Sequence, residues 1–315
     1  MKITILDNQY DVLDTKEKVT IADSFVVRQN KIGDGNGEAK LYVGQKNIET
    51  RGFFGDEKFV IKCFLLKQDL LKYLEDTKVE YLNPEQNYIN KSYLPKLWAE
   101  RVNYIKKLPQ LIEFEVVEQT QISGPRIYIK SNDNGYNLIR ELSLPNITYI
   151  SIVKLINSSG ELFYYFKLFA DYFGDIQHPS VIEDEKREII KLEQNKSGQV
   201  LVKARRGQGK YREQLLHSCP YCPITMVSDD RMLIASHIKP WVKSNDFEKL
   251  DPMNGFMFTP TFDYLFDRGF MTFTKDKRTK LSPFLSKMTY SKLSISDNKI
   301  ISTLPIEGRR VFRIS

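Results

Sequence analysis

The chain has 315 residues, 41% hydrophobic and 28% charged, with a formal net charge of +7. That length accommodates two cores, no apolar run approaches the roughly 18 residues that a membrane span needs, and the opening MKITILDNQYDVLD carries acids where a secretory signal would be apolar. Three cysteines, Cys63, Cys219 and Cys222, cannot form a disulfide framework, so the expected setting is the reducing cytoplasm.

Residues 1–60 alternate short apolar runs with turn signals such as Gly33-Asp34-Gly35-Asn36-Gly37 and read as β-rich. Phe59 to Tyr73 reads as a strand running into a helix. Leu94 to Leu108 repeats apolar residues at helical spacing and ends against Pro109. Ile112–Glu118 and Arg126–Lys130 read as strands, and Tyr149–Ile156 with Leu162–Phe169 as a hairpin closed by Asn157-Ser158-Ser159-Gly160. Ile182 to Gln194 is a charged amphipathic helix ending at Asn195-Lys196-Ser197-Gly198, which sets a domain boundary near residue 198. Beyond it come a helix within Val202–Leu216 beside Gly207-Gln208-Gly209, strands at Met232–His237 and Phe256–Thr259, and a short helix at Thr261–Phe266 stopped by Gly269. A terminal hairpin joins Phe270–Phe273 to Lys280–Ser282 around Lys275-Asp276-Lys277. The fold class expected is α+β, with a larger, β-rich mixed domain over 1–198 and a smaller domain over 199–315.

The charge is unevenly placed. Residues 201–315 hold 20 of the 47 basic and 11 of the 40 acidic residues, leaving 27 and 29 for the rest. A basic C-terminal third is the footprint of a part that meets a polyanion. In that third Ser236-His237-Ile238-Lys239-Pro240-Trp241 precedes Asn254-Gly255 and then Asp263-Tyr264-Leu265-Phe266-Asp267-Arg268-Gly269. Cutting a phosphodiester needs a base for water, a cation for the phosphate and stabilisation of the leaving oxygen. His237, at the end of a strand, has a side chain whose ordinary pKa suits the first task. Asp263 and Asp267, four apart on one helix face, offer the oxygen ligands that Mg²⁺ or Mn²⁺ prefers. The Asn254 amide can tie the loop that carries His237 to the turn before the second strand.

Residues from about Ala204 to Ser282, a quarter of the chain, resemble the HNH endonuclease family, closest to its restriction-type branch. That branch reads roughly Arg-x-Gly-Gln, Ala-His-Ile-x-Pro-Trp, Asn-Gly and Leu-Phe-Asp-Arg-Gly, which Arg205, Gly207-Gln208, Ser236 to Trp241, Asn254-Gly255 and Leu265 to Gly269 match in order. The resemblance implies a ββα-metal nuclease domain with His237 as general base, Asn254 as loop tie and Asp263 in the final ligand position. Two departures stand out. Ser236 occupies the place where many members carry a metal-binding acid or histidine, and Asp263 stands where they carry His or Asn.

The nuclease reading assigns phosphate contacts to Arg205, Arg206, Lys210 and Arg212 around the glycines, and to Lys239 and Arg268 beside the metal position. Cys219-Pro220-Tyr221-Cys222 is half a zinc site with no second pair, so structural Zn²⁺ is not expected and buried thiols are. Glu113 and Glu115 read as the polar face of a half-buried strand, and Phe163-Tyr164-Tyr165-Phe166 as an aromatic strand. The N-terminal domain could supply targeting by reading a base sequence in a groove, by holding a flipped modified base, or by sensing a ligand. The function expected is a cytoplasmic restriction or anti-phage endonuclease acting on double-stranded DNA. Double-strand cleavage would need a homodimer or two successive events, and a protective methyltransferase would be a separate protein. The alternative is a DNA-binding or effector-sensing protein whose HNH domain has lost its chemistry, and Ser236 is the residue that favours it.

Overall fold

A computed structural model of the protein describes residues 1–22, 25, 39–86, 88, 91–119, 124–171, 211–240 and 243–309. The chain divides into two compact units, Met1–Asp184 and Glu185–Ser315. The helix expected over Ile182–Gln194, the boundary near residue 198 and the turn at Gly33–Gly37 lie outside the described residues. The structure is mixed α and β, dominated by one large sheet. No helix among the described residues is long and apolar enough to cross a membrane.

Among its described residues the first unit is built on eight strands: β1 (Lys2–Ile5), β2 (Asn8–Thr20), β3 (Lys40–Gln45), β4 (Val60–Leu66), β5 (Leu111–Gln119), β6 (Arg126–Lys130), β7 (Thr148–Asn157) and β8 (Leu162–Ala170). They lie in the order β1-β2-β7-β8-β4-β5-β6-β3, all neighbours antiparallel except β4 and β8. In β5, Ile112, Phe114 and Val116 are buried while Glu113 and Glu115 are exposed, the period-2 pattern of a strand covered on one face. Among the described residues five α-helices accompany the sheet: α1 (Ile48–Phe54), α2 (Lys67–Asp76), α3 (Lys78–Leu82), α4 (Leu94–Lys107) and α5 (Asn134–Leu142), with α2 against β8 and α5 against β5. The helix α1 falls inside the stretch expected to be β-rich. Tyr164, Tyr165 and Phe166 of the aromatic strand are buried; Tyr164 Oη donates to Phe53 O at 2.8 Å and Tyr165 Oη donates to the Asp69 carboxylate.

The first described element of the second unit is a helix over 211–218, labelled α6. Strand β9 (Ile234–His237), helix α7 (Asp246–Leu250), strand β10 (Gly255–Phe258) and helix α8 (Pro260–Asp267) follow, then a hairpin of β11 (Met271–Phe273) and β12 (Thr279–Leu281), and α9 (Lys287–Lys292). The antiparallel pair β9–β10 aligns His237 with Gly255 and Ser236 with Phe256. Helix α8 begins with Pro260 at its first position, where the missing N–H matters least, and packs on β9, β10 and β11. Gly269, at φ 70°, ends it in the left-handed conformation that suits glycine, and Phe270 N donates back to Leu265 O at 2.8 Å. Phe256, Phe258 and Phe273 are fully buried and, with Phe266, form the aromatic core beneath the hairpin. The buried Arg309 guanidinium donates to Gly255 O at 2.9 Å, Pro305 O at 2.7 Å and Ser218 Oγ at 3.2 Å, tying the end of the chain to α6 and β10.

Candidate active site

His237 closes β9, with its ring fixed from two sides. Its Nε2 lies 3.0 Å from Lys249 O at the end of α7. A carbonyl can only accept, so this nitrogen carries the proton and the neutral ring has its lone pair on Nδ1. The Tyr211 ring stacks on the imidazole with centroids 4.1 Å apart and planes 14° from parallel. Gly255 makes room for this stack: a Cβ there would stand 2.0 Å from Tyr211 Oη and 2.6 Å from Ser236 O. Burial under these groups lowers the pKa of His237 below its ordinary 6.5, and the Lys249 carbonyl opposes that shift.

Asn254 is buried just before β10, inside the loop that connects the two strands. Its Oδ1 accepts from Lys239 N at 2.8 Å, and its Nδ2 donates to Glu248 O at 2.9 Å, Lys239 O at 3.3 Å and Ser244 Oγ at 3.4 Å. Its own carbonyl accepts from Ile238 N at 2.8 Å. One amide therefore fastens the residues after His237 to the helix whose last turn binds the imidazole. Glu248 completes that helix by a capping box with Asn245.

The hydroxyl of Ser236, the residue before His237, donates to the Asp263 carboxylate on α8. Asp263 is 9% exposed and lies in the first turn of α8, where the helix dipole favours a negative charge. Burial nevertheless raises its pKa above the ordinary carboxylate value; the Ser236 bond acts in the other direction and Asp267 adds to the rise. Asp267 is exposed one turn later, at the helix end. Among the described residues no group of three or more His, Cys, Asp or Glu side chains is placed to hold a metal. Two carboxylates on one helix face still fit Mg²⁺ or Mn²⁺, because Mg²⁺ characteristically keeps several waters and takes only one or two protein carboxylates.

The cations expected to meet phosphate are placed less uniformly. Lys239 Nζ is ion-paired with the buried Glu248 carboxylate. The Arg212 guanidinium donates to Leu233 O at 2.7 Å and to Asp230 O, joining α6 to the turn before β9. Arg268 lies over the Tyr264 ring, 5.6 Å from its centroid. Arg205, Arg206, Lys210 and Trp241 lie outside the described residues. Cys219 and Cys222 are buried thiols, and burial raises the pKa of Cys219.

Tyr211 and Glu248 are the site residues that sequence reasoning missed. Glu248 was findable, because Asn245-x-x-Glu248 is a capping-box signature. Tyr211 carries no local signal, since its role depends on a helix returning across a glycine 44 positions away in sequence.

Residues 222–274 match the family model described as HNH endonuclease. The matched segment spans β9, α7, β10 and α8 and so contains His237, Asn254, Asp263 and Asp267; Tyr211 lies before it. The HNH match suggests a nuclease. A search of curated proteins found no match.

Proposed function

We propose that the protein is a metal-dependent DNA endonuclease whose β9–β10–α8 segment acts as a ββα-metal site. One observation carries the reading: within the HNH-matching segment, a single hairpin and helix hold a half-buried imidazole oriented by a carbonyl and, beside it in sequence, a serine bound to a buried carboxylate. His237 Nδ1 takes a proton from water, and the Lys249 carbonyl stabilises the imidazolium that results. The water oxygen bonds to phosphorus as the P–O3′ bond breaks, and solvent protonates the departing 3′ oxygen. Asn254 holds the His237 loop in place. A divalent cation, Mg²⁺ or Mn²⁺, held by Asp263 and Asp267 would supply positive charge at the phosphate.

We further propose a restriction-type role in the cytoplasm, directed against foreign double-stranded DNA, with the first unit supplying the choice of target. Each such site cuts one strand, so a double-strand break requires a homodimer or two successive events, and any protective methyltransferase is a separate protein. The test is conversion of supercoiled plasmid in Mg²⁺ or Mn²⁺ against EDTA, for wild type and Asp263→Ala, with unmodified and cytosine-modified phage DNA in parallel. Metal-dependent cutting lost in the variant supports the reading; cutting that survives EDTA refutes it.

Ser236 favours a second reading, a DNA-binding or sensing protein with a lost active site, because its hydroxyl engages the carboxylate that would hold the metal. That reading requires Mn²⁺ titration to show no binding that depends on Asp263.

A further inference from the structure

The sheet edge of the first unit carries a second feature of interest. Strands β3 and β6 bury Leu41, Val43, Ile127 and Ile129 on one face, and present Lys40, Tyr42, Arg126, Tyr128 and Lys130 on the other. The register sets Lys40 opposite Lys130 and Tyr42 opposite Tyr128. The two tyrosine rings lie 5.4 Å apart, Lys40 Nζ sits 4.9 Å from the centre of Tyr128, and the Arg126 guanidinium 5.9 Å from the centre of Tyr42. The result is a ladder of cation, aromatic pair and cation on the last two strands of the sheet.

Like charges directly opposite each other destabilise a strand pair, and Tyr42 is 42% exposed. The ring contact of Arg126 leaves its charge intact, whereas an ion pair would neutralise it. No carboxylate among the described residues forms an ion pair with Arg126 or Lys130, and Arg126 is perturbed chiefly by Tyr128. Segments 39–46 and 124–130 hold four cations, Lys40, Lys46, Arg126 and Lys130, and no acid. The acids of this face, Glu113 and Glu115, stand on β5, where Glu115 is opposite Lys62. Edge lysines also guard a sheet against aggregation. That role explains a charge on the edge strand β3, but not a second lysine on β6 facing it or an aromatic pair between cations.

We propose that the β3–β6 ladder is a docking surface for the phosphate backbone of duplex DNA, with the cations meeting phosphates and the tyrosines packing on the sugars between them. The identity of the polyanion rests on the nuclease reading. The experiment uses the full chain carrying His237→Ala, and measures binding to a short duplex by fluorescence anisotropy across a salt series. The triple variant Lys40→Gln/Arg126→Gln/Lys130→Gln is compared with Lys72→Gln/Lys96→Gln, which alters two lysines paired on helices of the same unit. Affinity of the ladder variant should fall at least about tenfold at low salt and its log–log salt slope by about 2–3, near 0.9 for each phosphate no longer neutralised. The helix variant should match the parent. Unchanged affinity and slope overturn the proposal, as does tighter binding of a single strand than of the duplex. Should the triple variant unfold, Lys40→Arg/Lys130→Arg with Tyr42→Ala replaces it, and an unchanged affinity on loss of the ring counts against the surface. Plasmid cutting by the His237-intact chain is read separately. If it cuts while the ladder variant binds normally, the ladder alone fails; if it never cuts and the slope still falls, the ladder stands and the nuclease reading fails.

Discussion

The Tyr211 ring lies flat on the His237 imidazole, 4.1 Å away, across a glycine that leaves it just enough room. The stack does two things at once: it limits rotation of the ring that Lys249 O holds by Nε2, and it buries one of the ring's faces. Tyr211→Phe should therefore cut DNA nearly as well as wild type. Tyr211→Ala should lower the single-turnover rate by up to about 10²-fold, the scale of a misplaced catalytic group. Equal rates for the two variants would show that the stack does not position His237.

The same burial fixes a pH dependence. His237 acts as a base only when neutral, and its pKa lies below 6.5, so the acid limb of the rate profile should fall below 6.5 and move up toward it in Tyr211→Ala. For stability the sign runs the same way. The unfolded chain takes up the proton more readily, so stability is fully present above 6.5 and declines as pH falls through 6.5 toward the lower folded value. Urea melts over that window should show wild type losing stability as pH falls and His237→Gln losing less over the same range.

Gly255→Ala is a packing test that leaves chemical groups untouched. Its Cβ would meet Tyr211 Oη at 2.0 Å and the backbone Ser236 O at 2.6 Å, and the second cannot swing away. Overpacking of this kind costs about 1–3 kcal/mol. Denaturant midpoints should show that loss together with reduced cutting, and a variant as stable as wild type would contradict the geometry.

In the proposed site, Asp263 links stability to metal. Burial disfavours its charge, so Asp263→Asn, which retains a group able to bond Ser236, should melt higher than wild type without metal. Added Mn²⁺ should raise the melting temperature of wild type and not that of the variant, because only a site in the folded chain gains from ligand. A melting shift of equal size in both would remove Asp263 from the metal site.

Asn254→Ala removes four side-chain hydrogen bonds, leaving the part-buried Lys239 N and the buried Glu248 O without that partner. An unsatisfied buried group costs about 1–3 kcal/mol. Thermal melting should register this loss and cleavage should weaken with it; Asn254→Ala with full stability would mean the loop is held by other interactions.

Much of the architecture was legible where one buried face imposes a period. The strand at Arg126–Lys130, the Leu94 helix, the Tyr149–Phe169 hairpin and the short helix before Gly269 all appear where the pattern put them. Helix α5 was not legible, because Asn134-Gly135-Tyr136-Asn137 reads as a turn although it opens a helix. Helix α1 is seven residues long and interrupted by Gly52, too short for its periodicity to show. Strand order was also hidden, since the parallel β4–β8 pairing joins residues about a hundred positions apart. In the candidate site, residue type and spacing single out His237, Asn254 and Asp263, and the chemistry assigned to them belongs to the proposal. The partners that tune them, Tyr211, Lys249 O and Glu248, are assembled only by folding.

The central claim is that His237 is the base in a DNA-cutting site. Its most direct test is the single-turnover rate of plasmid nicking in Mg²⁺ or Mn²⁺ by wild type and His237→Ala, with duplex binding measured on the same preparations. The account predicts cutting by wild type alone, with both proteins binding duplex equally. Cutting by His237→Ala at the wild-type rate would contradict it.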